Sequence, residues 1–391
     1  LLLDAPDALR RLCSAAAPEL LGYWVDVSSP GSDHRSESIV RHWRLFRNHR
    51  GIAFRGRVHE EPWPAANISP QAIGSQDCVR VRHWGYAASE ALPAKAARNI
   101  HLLETSLAHD GARPLTYYYL GQELLRLGEP RRALSAFDDA LRCARDQGLP
   151  ELFGHAVYCG ATYAALQLQD YERVLAIEAS VPAEFVSAEL LCDSATACRQ
   201  LRRTQEAVDR FRRASLDPTA VKPALRDPAC STWLPRLRLA EIELDMGAFD
   251  RALEDATAAA GFAACPPSGM LLAAMAAARL GHVELAAANA RRVLSQEAAG
   301  DLWPRARRAL LEAADQAGDL PKVLEALDGP VEGLAEADAL LVRAAAHGRL
   351  DDAAARREAL EAGCRRFPED VRLQAALIRA LGEDALGRAL Q

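Results

Sequence analysis

Three groups of side chains in the first ninety positions are of types, and at spacings, that suit chemistry. His59 and Glu60 are adjacent, at the end of a stretch, Ile52–His59, whose β-branched and aromatic content predicts a strand. An imidazole can stand near a metal or a diphosphate, and a carboxylate can take a proton. Neighbours on a strand leave opposite faces, so only one of the two can face a given site. A polar pair solvated in a loop at the strand end is the structural alternative, and on the residues alone it is the commoner case. Between Arg41 and Val58 lie six arginines, at 41, 44, 47, 50, 55 and 57, and no acid. The guanidinium fork matches phosphate; a solvated basic face, or pairing with acids elsewhere, is the structural alternative. In His83-Trp84-Gly85-Tyr86, the imidazole and the two rings could belong to a site or simply pack in a core, and Gly85 permits a tight turn.

The elements that would position these groups are short. Pro6 to Ala15 reads as a helix. Tyr23–Val27, Ile39–Arg47, Ile52–His59 and Cys78–Trp84 read as strands, and Val79 and Val81 alternate with Arg80 and Arg82 as on a half-exposed strand. Ala91–Ala108 reads as a helix. So many strands in so few residues fit a piece of a larger α/β domain.

A change of composition follows. Seven of the ten histidines lie at or before His109, and four of the six tryptophans at or before Trp84. Beyond about residue 110 the text is rich in Ala, Leu, Arg and Glu, with helical periodicity. Tyr117, Leu120-Gly121, the turn Leu127-Gly128, then Ala133, Phe137 and Ala140 resemble a tetratricopeptide repeat, in which small residues let two helices approach and an aromatic ring fills the groove between hairpins. Similar turns recur at Leu168-Gln169-Asp170-Tyr171, Leu201-Arg202-Arg203, Met246-Gly247, Leu280-Gly281, Ala317-Gly318 and His347-Gly348. Asp217–Cys230 and Ala264–Ser268 read as loops between repeats. A single hairpin cannot bury its apolar face, so a continuous stack is expected. The predicted fold is mainly α: a tetratricopeptide-type α-solenoid of about seven hairpins over 113–391, preceded by a partial α/β segment over 1–88 and a connecting helix over 89–112. A protein or peptide partner is expected on the concave face.

The N-terminal blocks also resemble the C-terminal part of a bacterial family 2 glycosyltransferase of the GT-A type. They are Trp43-Arg44-Leu45-Phe46-Arg47-Asn48, Gly51-Ile52, Gly56-Arg57-Val58-His59-Glu60-Glu61, His83-Trp84-Gly85-Tyr86 and Lys95-Ala96-Ala97-Arg98-Asn99. The resemblance covers about 20–110, and tetratricopeptide repeats often accompany that subgroup. It implies a nucleotide-sugar donor, an acceptor of unstated identity and a divalent metal, Mn or Mg. It gives Glu60 the role of catalytic base and places His59 at the metal. Arg44 and Arg47 would meet the donor diphosphate; His83, Trp84 and Tyr86 would contact acceptor or sugar. The family's nucleotide-binding half and its acidic metal motif are not found in this sequence, so the chain reads as a fragment without activity of its own. Two further readings stay open: a non-catalytic tetratricopeptide scaffold, and a helical-repeat regulator with an unrelated small β domain.

A net charge of −6 gives no reason to expect nucleic acid as a partner. No run of eighteen apolar residues predicts a membrane span. The nine cysteines form no C-x-x-C pair, fall mostly in Ala/Leu-rich text, and suggest a reducing cytoplasm. Histidines 155, 282 and 347 read as structural or surface residues.

Overall fold

A computed structural model describes residues 2–3, 6–30, 37–55, 57–58, 61–64, 72–76, 78–82, 92–147, 151–216 and 227–389. The chain forms two compact units, 1–235 and 236–391.

The first unit opens with a small sheet. Its strands are β1 (Leu2–Leu3), β2 (Gly22–Pro30), β3 (Glu37–Phe46), β6 (Ile73–Gly74) and β7 (Arg80–Arg82), with helix α1 (Pro6–Ala15) between β1 and β2. The order is β1-β7-β2-β3, with β6 on β2, and β4 (Ile52–Arg55) and β5 (Glu61–Pro64) make a separate ribbon. β2 is central: antiparallel to β3 along its whole length, and parallel to β6 and β7 on its other edge. Val25, Trp43 and Val79 are buried in it. Gln76 ties β2 to the approach to β7, donating to the carbonyls of Trp24 (3.1 Å) and Val79 (3.0 Å) and accepting from the Val79 N–H (2.7 Å). The described strands form an open sheet, not a closed barrel. The strand predicted as Ile52–His59 stops at Arg55.

The rest of the first unit is helical: α2 (Leu92–His109), α3 (Pro114–Arg126), α4 (Pro130–Gln147), α5 (Glu151–Gln167), α6 (Tyr171–Ala179), α7 (Ala188–Gln200) and α8 (Thr204–Leu216). The second unit continues with α9 (Leu234–Asp245), α10 (Phe249–Ala260), α11 (Ser268–Arg279), α12 (Val283–Leu294), α13 (Trp303–Ala317), α14 (Leu320–Ala326), α15 (Glu336–Arg349), α16 (Ala353–Arg366) and α17 (Val371–Ala389). These are the hairpins of a tetratricopeptide-type solenoid. From α3 onward, the odd-numbered helices through α15 lead the hairpins and the even-numbered ones return. We call them A and B helices.

Seven left-handed residues mark the turns between A and B: Gly128, Gln169, Arg202, Gly247, Gly281, Gly318 and Asp351, each with φ between +57° and +74°. At each, the left-handed residue donates its N–H to the carbonyl three residues back, and the next N–H reaches the carbonyl five back, as from Gly128 to Leu125 (3.0 Å) and Glu129 to Leu124 (2.9 Å). This double closure satisfies the last carbonyls of the A helix. Aspartates then start several B helices: Asp170, Asp319 and Asp352 each accept the N–H three residues on. The last turn corrects the expectation at His347-Gly348. Helix α15 runs through Gly348, where the missing Cβ makes room for Arg356, and the chain reverses at Asp351.

Helix α2 is packed as part of the stack. Its Ile100 and Leu103 share one core with Leu124, Ala133, Phe137 and Ala140 of the first hairpin. Asn99 donates to the fully buried Glu123 at 3.0 Å, and Arg126 meets the same carboxylate at 2.6 Å. Val58 packs against this core, and Arg57 pairs with Asp110 at 3.1 Å, so the end of the β4 segment is fastened to the first helices. In the second unit the core is Ala-rich, with Leu271, Leu310 and Val323 among rows of alanines that let the helices lie close. The expected loop at 217–230 includes a 3₁₀ turn, Pro228–Ser231; residues 217–226 lie outside the described ones. Among the described residues no helix is long and apolar enough to cross a membrane.

Candidate functional site

Of the residues singled out for transfer chemistry, His59, Glu60, His83, Trp84 and Tyr86 lie outside the described residues. Arg44 is exposed on β3, next to the inward Trp43. Arg47 folds back on the protein: its guanidinium donates to the carbonyls of Leu20 (2.8 Å), Ala16 (3.1 Å) and Ala17 (2.9 Å) in the turn after α1. Among the described residues no group of three or more His, Cys, Asp or Glu side chains is arranged to hold a metal ion.

The hairpins offer a different kind of site. Successive A helices touch one another, α3 with α5 and α5 with α7 in the first unit, and α11 with α13 in the second, whereas the described B helices make no comparable contact among themselves. Closer spacing puts the A helices on the inner layer of each unit. Counting back from each left-handed residue picks out three rows on that layer. Seven residues back stand Gly121, Thr162, Ala195, Ala240, Ala274, Leu311 and Ala344, all buried. Five back stand Glu123, Ala164, Ala197, Ile242, Ala276, Ala313 and Ala346, also all buried. Six back stand Gln122, Tyr163 and Thr196 in the first unit, then Glu241, Met275, Glu312 and Ala345 in the second, and none of these is buried. One position per hairpin is thus held open between two closed rows.

The rows differ in chemistry between the units. In the first, the accessible positions are uncharged, and the half-buried Tyr119 and Tyr158 lie on the same helices. The Tyr158 ring lies 6.2 Å from that of Phe185, and burial pushes its hydroxyl above the usual range. In the second, Glu241 pairs with Arg238 (2.9 Å), Glu312 with Arg308 (2.7 Å), and Arg305 meets the Met275 sulfur (3.7 Å).

Behind the first unit's row lies a buried polar layer. Thr162 donates to Asp193 at 2.9 Å, joining α5 to α7. Cys159 and Ser187 meet at 3.1 Å, and Glu189 accepts the Asp227 N–H at 2.8 Å. The first two contacts fix the rotation of α7 on α5, and so the aim of Tyr163 and Thr196, and the third ties α7 to the segment before the 3₁₀ turn. Such a layer is costly unless satisfied, so it specifies one packing. Sequence reasoning missed both the layer and the open row. The row was within reach, since six residues before each turn is a fixed count once the turns are found.

No protein-family model and no curated sequence matches the chain. Among solved structures, a tetratricopeptide repeat protein from Parabacteroides merdae is similar at 9% identity, over 68% of this chain and 98% of that one, with a TM-score of 0.39. The C-terminal part of a TPR repeat-containing protein from Cytophaga hutchinsonii is similar at 11% identity, over 74% and 97%, with a TM-score of 0.41. A structure of Naa15/Naa10 bound to HypK-THB is similar at 14% identity, over 69% and 39%, with a TM-score of 0.47. The tetratricopeptide-type fold rests on the seven hairpins themselves. None of these comparisons supports the resemblance to family 2 glycosyltransferases.

Proposed function

We propose that the chain is a protein-interaction scaffold that holds an extended peptide segment along the inner, A-helix layer of the hairpins of its first unit. The single observation that carries this is the open row between two buried rows. Each hairpin presents one side chain to solvent at the same repeat position, at intervals set by the stack. Within the first unit, an extended ligand can meet such a row one contact per hairpin, at little cost in rearrangement, because the flanking rows are packed. In the first unit Gln122 and Thr196 suit hydrogen bonds to peptide groups, and Tyr163 offers a broad amphipathic ring of the kind that dominates binding energy.

The test uses a random peptide library displayed on phage, selected against the full chain, with the affinity of the recovered peptides measured by anisotropy. Tyr163→Ala should weaken binding about tenfold or more. Arg142→Ala, on the exposed side of the B helix α4, should leave it within about twofold. Equal binding by both variants would rule out the inner row as the contact surface. The transferase roles of Glu60, His59, Arg44, Arg47, His83, Trp84 and Tyr86, with their nucleotide sugar and Mn or Mg, stay with the resemblance that suggested them.

A further inference from the structure

Two cysteines far apart in sequence meet inside the first unit. Cys192 lies in the middle of α7, and Cys230 in the 3₁₀ turn Pro228–Ser231. Both are buried. The Cys192 thiol donates to the Cys230 carbonyl at 3.9 Å, which sets the two residues against each other in the interior. The other described cysteines with a thiol contact turn elsewhere: Cys78 to Gln76, Cys143 to the Ala112 carbonyl, Cys159 to Ser187, Cys198 to Glu206 and Cys265 to the Pro266 carbonyl.

The meeting is held from several sides. Asp227 donates its N–H to the buried Glu189 of α7 at 2.8 Å and accepts the Ala229 N–H on its own carboxylate at 2.9 Å. The Cys230 N–H reaches the Asp227 carbonyl at 3.1 Å, and Thr232 closes the turn on the Pro228 carbonyl at 3.1 Å. The backbone on both sides of the sulfur pair is therefore fixed before any bond forms between them. A disulfide needs sulfurs about 2 Å apart and Cβ atoms about 3.5–4.5 Å apart. With the Cys192 sulfur 3.9 Å from the Cys230 carbonyl, side-chain rotations at the two residues are the motion that would bring the sulfurs together.

We propose that Cys192 and Cys230 are a redox pair that a peroxide converts to a disulfide, stapling the 3₁₀ turn to α7. The thiolate of one cysteine attacks a peroxide oxygen; the O–O bond breaks, a sulfenic acid forms and hydroxide leaves. The second thiolate attacks the sulfenic sulfur, the S–S bond forms and a second hydroxide leaves. The two hydroxides take up the two thiol protons, so two thiols and one hydrogen peroxide give one disulfide and two waters. The Cys192 side chain, then burial and the nearby Glu189 and Asp227 carboxylates, hold the Cys230 thiol well above its ordinary range, so it is protonated and slow to react in the closed protein. Oxidation then depends on brief opening of the turn, and the disulfide captures the closed form. The bond closes a loop that contains all of α8, and so constrains the unfolded chain.

The test is a peptide map of the full chain, treated with hydrogen peroxide, alkylated in denaturant and digested without reductant. The expected result is a linked peptide pair carrying Cys192 and Cys230, lighter by two hydrogens, that separates on adding dithiothreitol. The melting temperature of the oxidised protein should rise by roughly 5–10 °C, and that rise should vanish in Cys230→Ser. Recovery of Cys192 and Cys230 as two alkylated thiols, or linkage of either to another cysteine, would overturn the proposal on the wild-type chain alone.

Discussion

Phe137 of the first hairpin and Gly160 of the second meet so closely that a Cβ added at Gly160 would lie 2.5 Å from the ring. Gly121, on the first hairpin's own A helix, meets the same ring, where an added Cβ would lie 2.7 Å from it. The ring is fully buried and is the wedge that sets the spacing between the two hairpins.

We expect Gly160→Ala to destabilise the first unit by about 1–3 kcal/mol, because the ring must shift in a packed core. Phe137→Ala should cost about 3–5 kcal/mol by opening a cavity. Combining them should cost less than the sum, since the smaller side chain relieves the clash. Urea denaturation followed by circular dichroism measures all three, and strict additivity would show that the contact does not set the spacing.

Glu123 is a buried carboxylate that takes the Asn99 amide and the Arg126 guanidinium. Glu123→Ala leaves a buried amide without its acceptor and should destabilise by about 2–4 kcal/mol. Glu123→Gln keeps an acceptor for Asn99 and should cost roughly half as much. If both variants unfold with the wild-type midpoint, α2 is not locked to α3 by this bond.

Burial, reinforced by the Glu243 carboxylate, pushes the Asp255 carboxyl up to about 6, against the pull of Arg236 at 2.9 Å. The sign follows from which state holds the proton. Below about pH 4 the carboxyl is protonated both folded and unfolded, and its contribution to stability is fully present. Between about pH 4 and 6 the unfolded chain has ionised while the folded one keeps its proton. Stability therefore falls as pH rises through this window, by up to about 3 kcal/mol. Asp255→Asn should remove that slope and make the protein more stable than wild type at pH 8. A variant with an unchanged pH profile of the urea midpoint would contradict it.

The turns show how much the sequence discloses. Gly128, Gly247, Gly281 and Gly318 announce themselves, because glycine takes a left-handed backbone without cost. Gln169 and Arg202 hold the same conformation and are legible only because their neighbours fit the repeat. At the last turn the glycine misleads: Gly348 is inside α15 and Asp351 makes the reversal. Sequence spacing also revealed Phe137 as a groove filler, since ring and small residues recur at known offsets. It did not reveal Arg47 closing the turn after α1, or Thr162 meeting Asp193. Both depend on contacts between elements, and a side chain's partner across 30 residues leaves no local pattern.

The non-glycine turns should therefore be sites of easy stabilisation. Gln169→Gly, Arg202→Gly and Asp351→Gly should each be neutral or stabilising by up to about 1 kcal/mol, in contrast to ordinary loop positions. Gly128→Ala should be destabilising by about 1 kcal/mol. Melting temperatures of the four variants check the assignment; a loss at all of the first three would mean that the turns are not left-handed.

The most direct test of the scaffold account is the affinity of library-selected peptides for the full chain carrying Tyr163→Ala, set against wild type and Arg142→Ala. The account predicts a loss of about tenfold or more for Tyr163→Ala and wild-type affinity for Arg142→Ala. Wild-type affinity for Tyr163→Ala, or a loss confined to Arg142→Ala, would contradict it.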